Sequence, residues 1–283
     1  AAPTPMTKRL QAYDACCSKG QPRPTARGAE RAISAGQLVH LHDFFQEFIR
    51  DRSMYYVVAN IVKPLTAASQ MSLAEYIGPS HLVWFASHFW GTEFRHVCSS
   101  IQRHAQMVGE DCASQSYWIC SCSINQHRVR EEVNSADYRE SSFYLALRSA
   151  GCKGTCIIID EQALPLKRSW CLFELLQTME IEREGRRGFE GAVFCTSTGV
   201  LNSGRASVET SMALGRCLAS LRLENATATV EEDKRMIDCL VDCSMGGFDA
   251  MNRSLRSRIS VALKASKEKA THDFELLEQQ LTA

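Results

Sequence analysis

The chain has 283 residues, 45% of them hydrophobic, and 32 Lys+Arg are balanced by 32 Asp+Glu. That is enough apolar material for one large domain with helical additions. A formal charge of zero lacks the basic excess of a nucleic-acid binder, and no apolar run reaches the length of a membrane span. Residues 1–30 are rich in Pro, Gly, Ala and basic side chains and read as a flexible arm. A helical N-terminal extension is predicted over 31–79. Leu38, Leu41, Phe44, Phe45, Phe48 and Ile49 recur at three- and four-residue steps within it. A second apolar segment follows over 54–62, closed by Pro64, and then a short helix over 72–77, stopped by Gly78-Pro79.

From residue 80 the pattern becomes alternating strand and helix. Strands are predicted near 82–86, 117–121, 155–159 and 191–195, with a fifth over Leu218–Leu223. Helices are predicted near 93–108, 137–149, 170–184 and 206–217. Such alternation implies a mostly parallel sheet with helices on both faces. After about 228 the composition turns helical again, over 230–241, 248–265 and 264–281, as a C-terminal segment packed on the domain.

The 13 cysteines, an odd number scattered through apparent strands and helices, point to reduced thiols and a cytoplasmic setting. Cys120, Cys156, Cys171 and Cys195 read as small buried apolar residues. Cys120/Cys122 and Cys239/Cys243 lack the two-pair spacing of a structural zinc site, so no metal ligands are expected.

The stretch from Thr155 to Leu176 carries the most information. Cys156-Ile157-Ile158-Ile159 is an apolar run suited to a parallel strand covered on both faces. Pro165 marks a loop, and Ser169 is a candidate N-cap for a helix over 170–184. Trp170 and Glu174, four residues apart, share a face of that helix. They are either a core indole with a solvated charge, or a ligand site at the carboxyl edge of the sheet.

Ser169-Trp170-Cys171-Leu172-Phe173-Glu174-Leu175 resembles the Ser-x-Trp-Cys-x-x-Glu-Leu signature of Toll/interleukin receptor (TIR) domains, especially the plant type. Val83 to Gly91 is similar to that family's first strand and loop. Tyr117 to Cys122 is similar to its second strand, and Gly191 to Cys195 to its fourth. Where the family carries an arginine before the loop glycine, this chain has Phe89-Trp90, and Arg95 follows. Ser87-His88-Phe89-Trp90-Gly91 with Ser123-Ile124-Asn125-Gln126 also resembles the fungal heterokaryon-incompatibility (HET) domains.

The resemblance spans roughly residues 80–228 and implies a flavodoxin-like parallel sheet of about five strands. It implies cleavage of NAD, as substrate and not as cofactor, at the nicotinamide–ribose bond. Glu174 is then the catalytic residue, and Trp170 lies beside the nicotinamide. Ser87, His88, Trp90, Gly91 and Arg95 are candidates for the opposite rim, and Asn125, Gln126 and His127 for a covering loop. Each has a plainer alternative: strand-end cap for Ser87 and His88, core for Trp90, solvated charge for Arg95, polar loop for the last three. Arg128, Arg130 and Arg139 are further candidates for a diphosphate. The resemblance also implies self-association, as a homo-oligomer, and a place in immune or stress signalling. Two other functions fit the same motif: a non-catalytic signalling module and a nucleotide-binding receptor. No Gly-x-Gly-x-x-Gly, Walker or Gly-x-Ser-x-Gly pattern follows any strand.

Overall fold

The computed structural model describes residues 2–17, 22–109, 111–133, 137–244 and 246–282. Where composition suggests an arm, the chain forms helix α1 (Pro5–Cys17). Pro5 stands at its first position, where a missing N–H removes no helical bond, and Thr4 accepts from the Thr7 amide. Met6, Leu10 and Tyr13 form an apolar stripe at helical spacing. Tyr13 is 1% exposed, packed against His40, Phe44 and Phe45. Residues 1 and 18–21 of the expected arm lie outside the described residues.

Strand β1 (Ile33–Ser34) leads into α2 (Ala35–Ile49), which opens on a reciprocal capping box between Ser34 and Gln37. Next come α3 (Met54–Val57), a π-helical turn (Val58–Val62) and α4 (Lys63–Thr66). Pro64 therefore does not close this segment. The wider turn before it accommodates a residue that can neither donate a backbone hydrogen bond nor tolerate the usual carbonyl below it. Helix α5 (Leu73–Ile77) opens on a second capping box, Ser72 with Glu75.

The α/β part follows. In chain order its elements are β2 (Trp84–Ser87), α6 (Phe94–Val108), β3 (Ser116–Ile119), α7 (Cys120–Ser123), α8 (Val129–Val133), α9 (Ser142–Leu147), β4 (Gly154–Ile158), α10 (Ser169–Arg183), β5 (Ala192–Thr196), β6 (Gly199–Val200), α11 (Val208–Ser220), α12 (Glu231–Cys243) and α13 (Gly247–Thr282). The sheet order is β1-β3-β2-β4-β5-β6. The four inner strands are parallel to one another; β1 and β6 pair antiparallel at the two edges. The sheet is therefore mixed and six-stranded.

The strand expected over Leu218–Leu223 is instead the end of α11 and a following 3-10 turn. Leu214 and Leu218, one helical turn apart, are both buried, and Ser207 caps the helix by accepting from Thr210. The edge position beside β5 is taken by β6, which folds straight back from it.

Alternate residues of the buried strands enter different cores. Trp84, Ala86, Cys156, Ile158, Val193 and Cys195 face the N-terminal helices and α6. Ile157, Ile159, Ala192 and Phe194 face a second core that includes Val241, Met251, Leu255, Ile259 and Ala262 of α12 and α13. Phe85 and Trp118 stack at 4.9 Å in a third, beneath α9. Both terminal segments thus share cores with the sheet. The two helical pieces expected after 248 are one helix, α13, whose residues from Thr271 on are exposed. Among the described residues no helix is long and apolar enough to cross a membrane.

A candidate active site at the carboxyl end of the parallel strands

The order of the inner strands reverses between β2 and β4. Loops leaving the carboxyl ends there diverge and leave a crevice, the usual ligand position in open α/β sheets. Here it is a cavity of ≈ 280 Å³. His88, Phe89 and Trp90 reach it from the end of β2, Cys120, Ile124 and Gln126 from the segment after β3, and Arg168, Trp170, Cys171 and Glu174 from the start of α10. Tyr55, Val129, Val133, Phe143, Thr227 and Thr229 complete the wall.

Glu174 is 3% exposed, and its Oε2 has no hydrogen-bond partner among the described residues. Burial raises its pKa to about 8; the neighbouring Ser87 hydroxyl pulls weakly the other way. Ser87 Oγ is not in good hydrogen-bond geometry with any group, so desolvation governs. His88, 4% exposed, has both ring nitrogens unpartnered among the described residues, and burial lowers its pKa to about 4. It is therefore a neutral imidazole at pH 7. The thiols of Cys120 and Cys171 are raised, first by burial and then by Glu174, and stay protonated. Neither is an activated nucleophile.

Aromatic rings build the walls. Trp90 donates its indole N–H to Cys120 Sγ at 3.0 Å and meets Tyr55 edge-on at 5.5 Å. Trp170 stacks on Phe143 at 5.1 Å and donates to Asp233 Oδ2 at 3.0 Å, which ties α10 to α12. Gly91 has no side chain because none fits: a Cβ there would lie 2.3 Å from the Phe89 ring.

Arg168 supplies the positive charge. Its guanidinium donates to Thr227 Oγ1 and Thr229 Oγ1, each at 3.2 Å, lies 5.4 Å from the Phe89 ring centre, and has no carboxylate partner among the described residues. Ser169 is not the N-cap of α10. Arg168 holds that position, and the backbone of Thr227 bridges the helix start, accepting from the Ser169 amide and donating to the Lys167 carbonyl.

Of the residues singled out from sequence, the fold thus gathers Glu174, Trp170, His88, Trp90 and Gln126 around one cavity. Ser87 stands beside Glu174 without lining it. Gln126 donates to the carbonyls of Cys120 and Ile124, each at 3.1 Å, which holds the turn after β3 in shape. Gly91 and Arg95 lie elsewhere, along a polar groove with Glu93, His96 and Asp160; Arg95 is ion-paired with Glu93 at 2.5 Å. Asn125 and His127 serve packing: Asn125 donates to the Gln70 carbonyl at 2.6 Å, and His127 Nε2 meets Thr66 Oγ1 at 2.9 Å. Arg128, Arg130 and Arg139 do not line the cavity. Residues 134–136, within the polar stretch 123–140 expected to cover the site, lie outside the described residues.

Sequence reasoning missed Tyr55, Phe143, Arg168, Thr227 and Thr229. Only Arg168, next to the Ser169–Leu175 motif, carried a local signal. The cavity is mostly apolar and holds one carboxyl group and one guanidinium with no ion-pair partner among the described residues, the make-up of a candidate ligand site. No protein family, no curated protein and no solved structure matches the chain.

Proposed function

We propose that this chain is a TIR-like NAD nucleosidase that breaks the nicotinamide–ribose bond and releases nicotinamide with ADP-ribose or a cyclic isomer. The observation that carries the proposal is Glu174, a buried carboxyl group whose Oε2 has no hydrogen-bond partner among the described residues, at the wall of an aromatic cavity. The Ser169–Leu175 motif supports it. So does the chain-order sequence second-first-third-fourth of the inner strands, as expected of a flavodoxin-like TIR-type sheet.

The chemistry follows from the substrate. Nicotinamide leaves a cationic pyridinium as a neutral molecule, so no general acid is required. The ribose carbon becomes oxocarbenium-like, and an adjacent carboxylate stabilises it by charge or by brief covalent capture. In the free protein Glu174 is mostly protonated at pH 7. A pyridinium entering the cavity favours the carboxylate and expels its proton, so substrate charge itself arms the residue. Neutral His88 does not compete as a cation. At ≈ 280 Å³ the cavity lies just below the roughly 300–1,000 Å³ range of ligand pockets. It suits the nicotinamide riboside end, with the diphosphate directed to Arg168, Thr227 and Thr229.

The test is nicotinamide release from NAD by the purified 283-residue chain over a concentration series, beside Glu174→Gln and Glu174→Ala. Release abolished in both folded variants supports the proposal. NAD binding without release from the wild type replaces it with the nucleotide-receptor reading, which the same cavity favours. Neither binding nor release leaves the signalling module.

A further inference from the structure

On the opposite face of the sheet from α10, three potential metal donors meet in the core. His104 comes from α6, Cys156 from β4 and Cys195 from β5, each 0% exposed, with donor atoms all within 4.8 Å of one another. The register pairs Cys156 with Val193 and Ile158 with Cys195, so the thiols lie two positions apart on neighbouring parallel strands and share a face. Helix α6 packs on both strands and lays His104 over them.

The histidine is half satisfied. Its Nδ1 lies 2.9 Å from Tyr117 Oη, and its ring meets Trp84 edge-on at 4.5 Å. Its Nε2 is buried and has no hydrogen-bond partner among the described residues, the two thiols included. A buried nitrogen left without a partner is uncommon and needs a cause. The tautomer protonated on Nδ1 donates to Tyr117 Oη and leaves a lone pair on Nε2. That is how an outer partner orients a metal-binding imidazole.

We propose that His104 Nε2, Cys156 Sγ and Cys195 Sγ form a buried site for one thiophilic cation, zinc or monovalent copper. An ion centred in even the widest triangle these donors allow would lie about 2.8 Å from each, so a contraction of about 0.5 Å at sulfur and about 0.8 Å at nitrogen reaches the ~2.3 and ~2.0 Å bonds of zinc. Soft sulfur donors select these ions over calcium or magnesium. Charge balance favours zinc, since a neutral imidazole and two thiolates neutralise a divalent ion, whereas the count of three donors favours copper(I), since structural zinc takes four ligands. Loading displaces one proton from each thiol and involves no redox step. The site ties α6 to β4 and β5, and none of its three donors lines the Glu174 cavity. Because all three are fully buried, the ion enters during folding.

The 283-residue chain is expressed with zinc, or unfolded and refolded with zinc or, anaerobically, with copper(I). Metal content and the metal-edge X-ray absorption spectrum are then read. The expected result is about one equivalent that survives chelator treatment of the native protein and is lost on unfolding in chelator. The spectrum should show two sulfur neighbours and one imidazole. The double variant Cys156→Ala/Cys195→Ala should lose the metal while keeping its circular dichroism. Copper retained in place of zinc, with the same neighbours, assigns the ion and keeps the site. No retained metal in either refolding arm overturns the proposal. So does a bound metal with any other set of neighbours, which the wild-type spectrum reads even if the double variant does not fold.

Discussion

Glu174 and His88 give the cavity its pH behaviour, and the signs follow from their displaced pKa values. Glu174 is raised from 4.5 to about 8, so the folded state holds a proton that the unfolded state releases, and stability is lost as pH rises through that window. His88 is lowered from 6.5 to about 4, so the unfolded state holds the extra proton, and stability is lost as pH falls from 6.5 to 4. Between about 4.5 and 6.5 the two slopes cancel. The pair therefore adds a plateau there and a decline from 6.5 to 8. Glu174→Gln should abolish nicotinamide release and remove the alkaline decline. Its melting temperature should exceed that of the wild type at pH 8, by a margin that shrinks toward pH 4.5. Thermal denaturation at a series of pH values checks this; a variant destabilised at pH 8 would show that the carboxyl group is paired. For the wild type, kcat/KM for NAD should rise with pH toward about 8, since free protein must lose that proton. Arg168→Met should raise KM for NAD by about tenfold to a hundredfold, from the ~1.5–3 kcal/mol of a charged hydrogen bond, with a smaller effect on kcat. Steady-state kinetics decide between that split and a uniform loss.

At the scale of elements, one buried ion cluster holds the cavity wall in place. Arg31 pairs with Glu132 at 2.7 Å and with Glu75 at 3.3 Å. Glu132, on α8 between the cavity residues Val129 and Val133, also accepts from Ser142 Oγ at 2.8 Å and the Asn125 amide at 3.2 Å. Arg31→Met leaves two buried carboxylates without their cation and should cost about 3–5 kcal/mol; chemical denaturation measures it. Local code was readable wherever one residue's chemistry sufficed. The four inner strands appeared as short apolar runs, α2 as an apolar periodicity of three- and four-residue steps, and α5 as a short helix stopped by Gly78-Pro79. It failed where two codes competed. Leu218–Leu223 is apolar enough for a strand, but Leu214 and Leu218 fit a helix capped by Ser207, and β6 already occupies the sheet edge. In α1 the Pro-rich, basic composition hid the stripe of Met6, Leu10 and Tyr13. Pro64 read as a stop because a π turn has no evident sequence signal.

At the scale of the molecule, the terminal segments belong to the cores they cover. Among the described residues, ending the chain at Ala270 removes only exposed ones of α13, and it should leave the melting temperature unchanged. Ending it at Thr229 removes Val241, Met251, Leu255, Ile259 and Ala262 from the core around Phe194, together with Asp233 beside Trp170. That chain should lose its cooperative transition, and calorimetry on the two truncations distinguishes the cases. By itself the sequence determined the α/β alternation, the apolar stripe of α2 and the shared helix face of Trp170 and Glu174. Each of these depends on residues within a turn or two of one another. Only the tertiary structure decided which candidates share a cavity, and it left Gly91, Arg95, Asn125 and His127 out while bringing in Arg168, Tyr55 and Thr227. It alone brought His104 to Cys156 and Cys195. Chemistry assembled from distant segments depends on strand order and helix packing, and these are fixed by apolar burial summed over the whole chain, which no local spacing records.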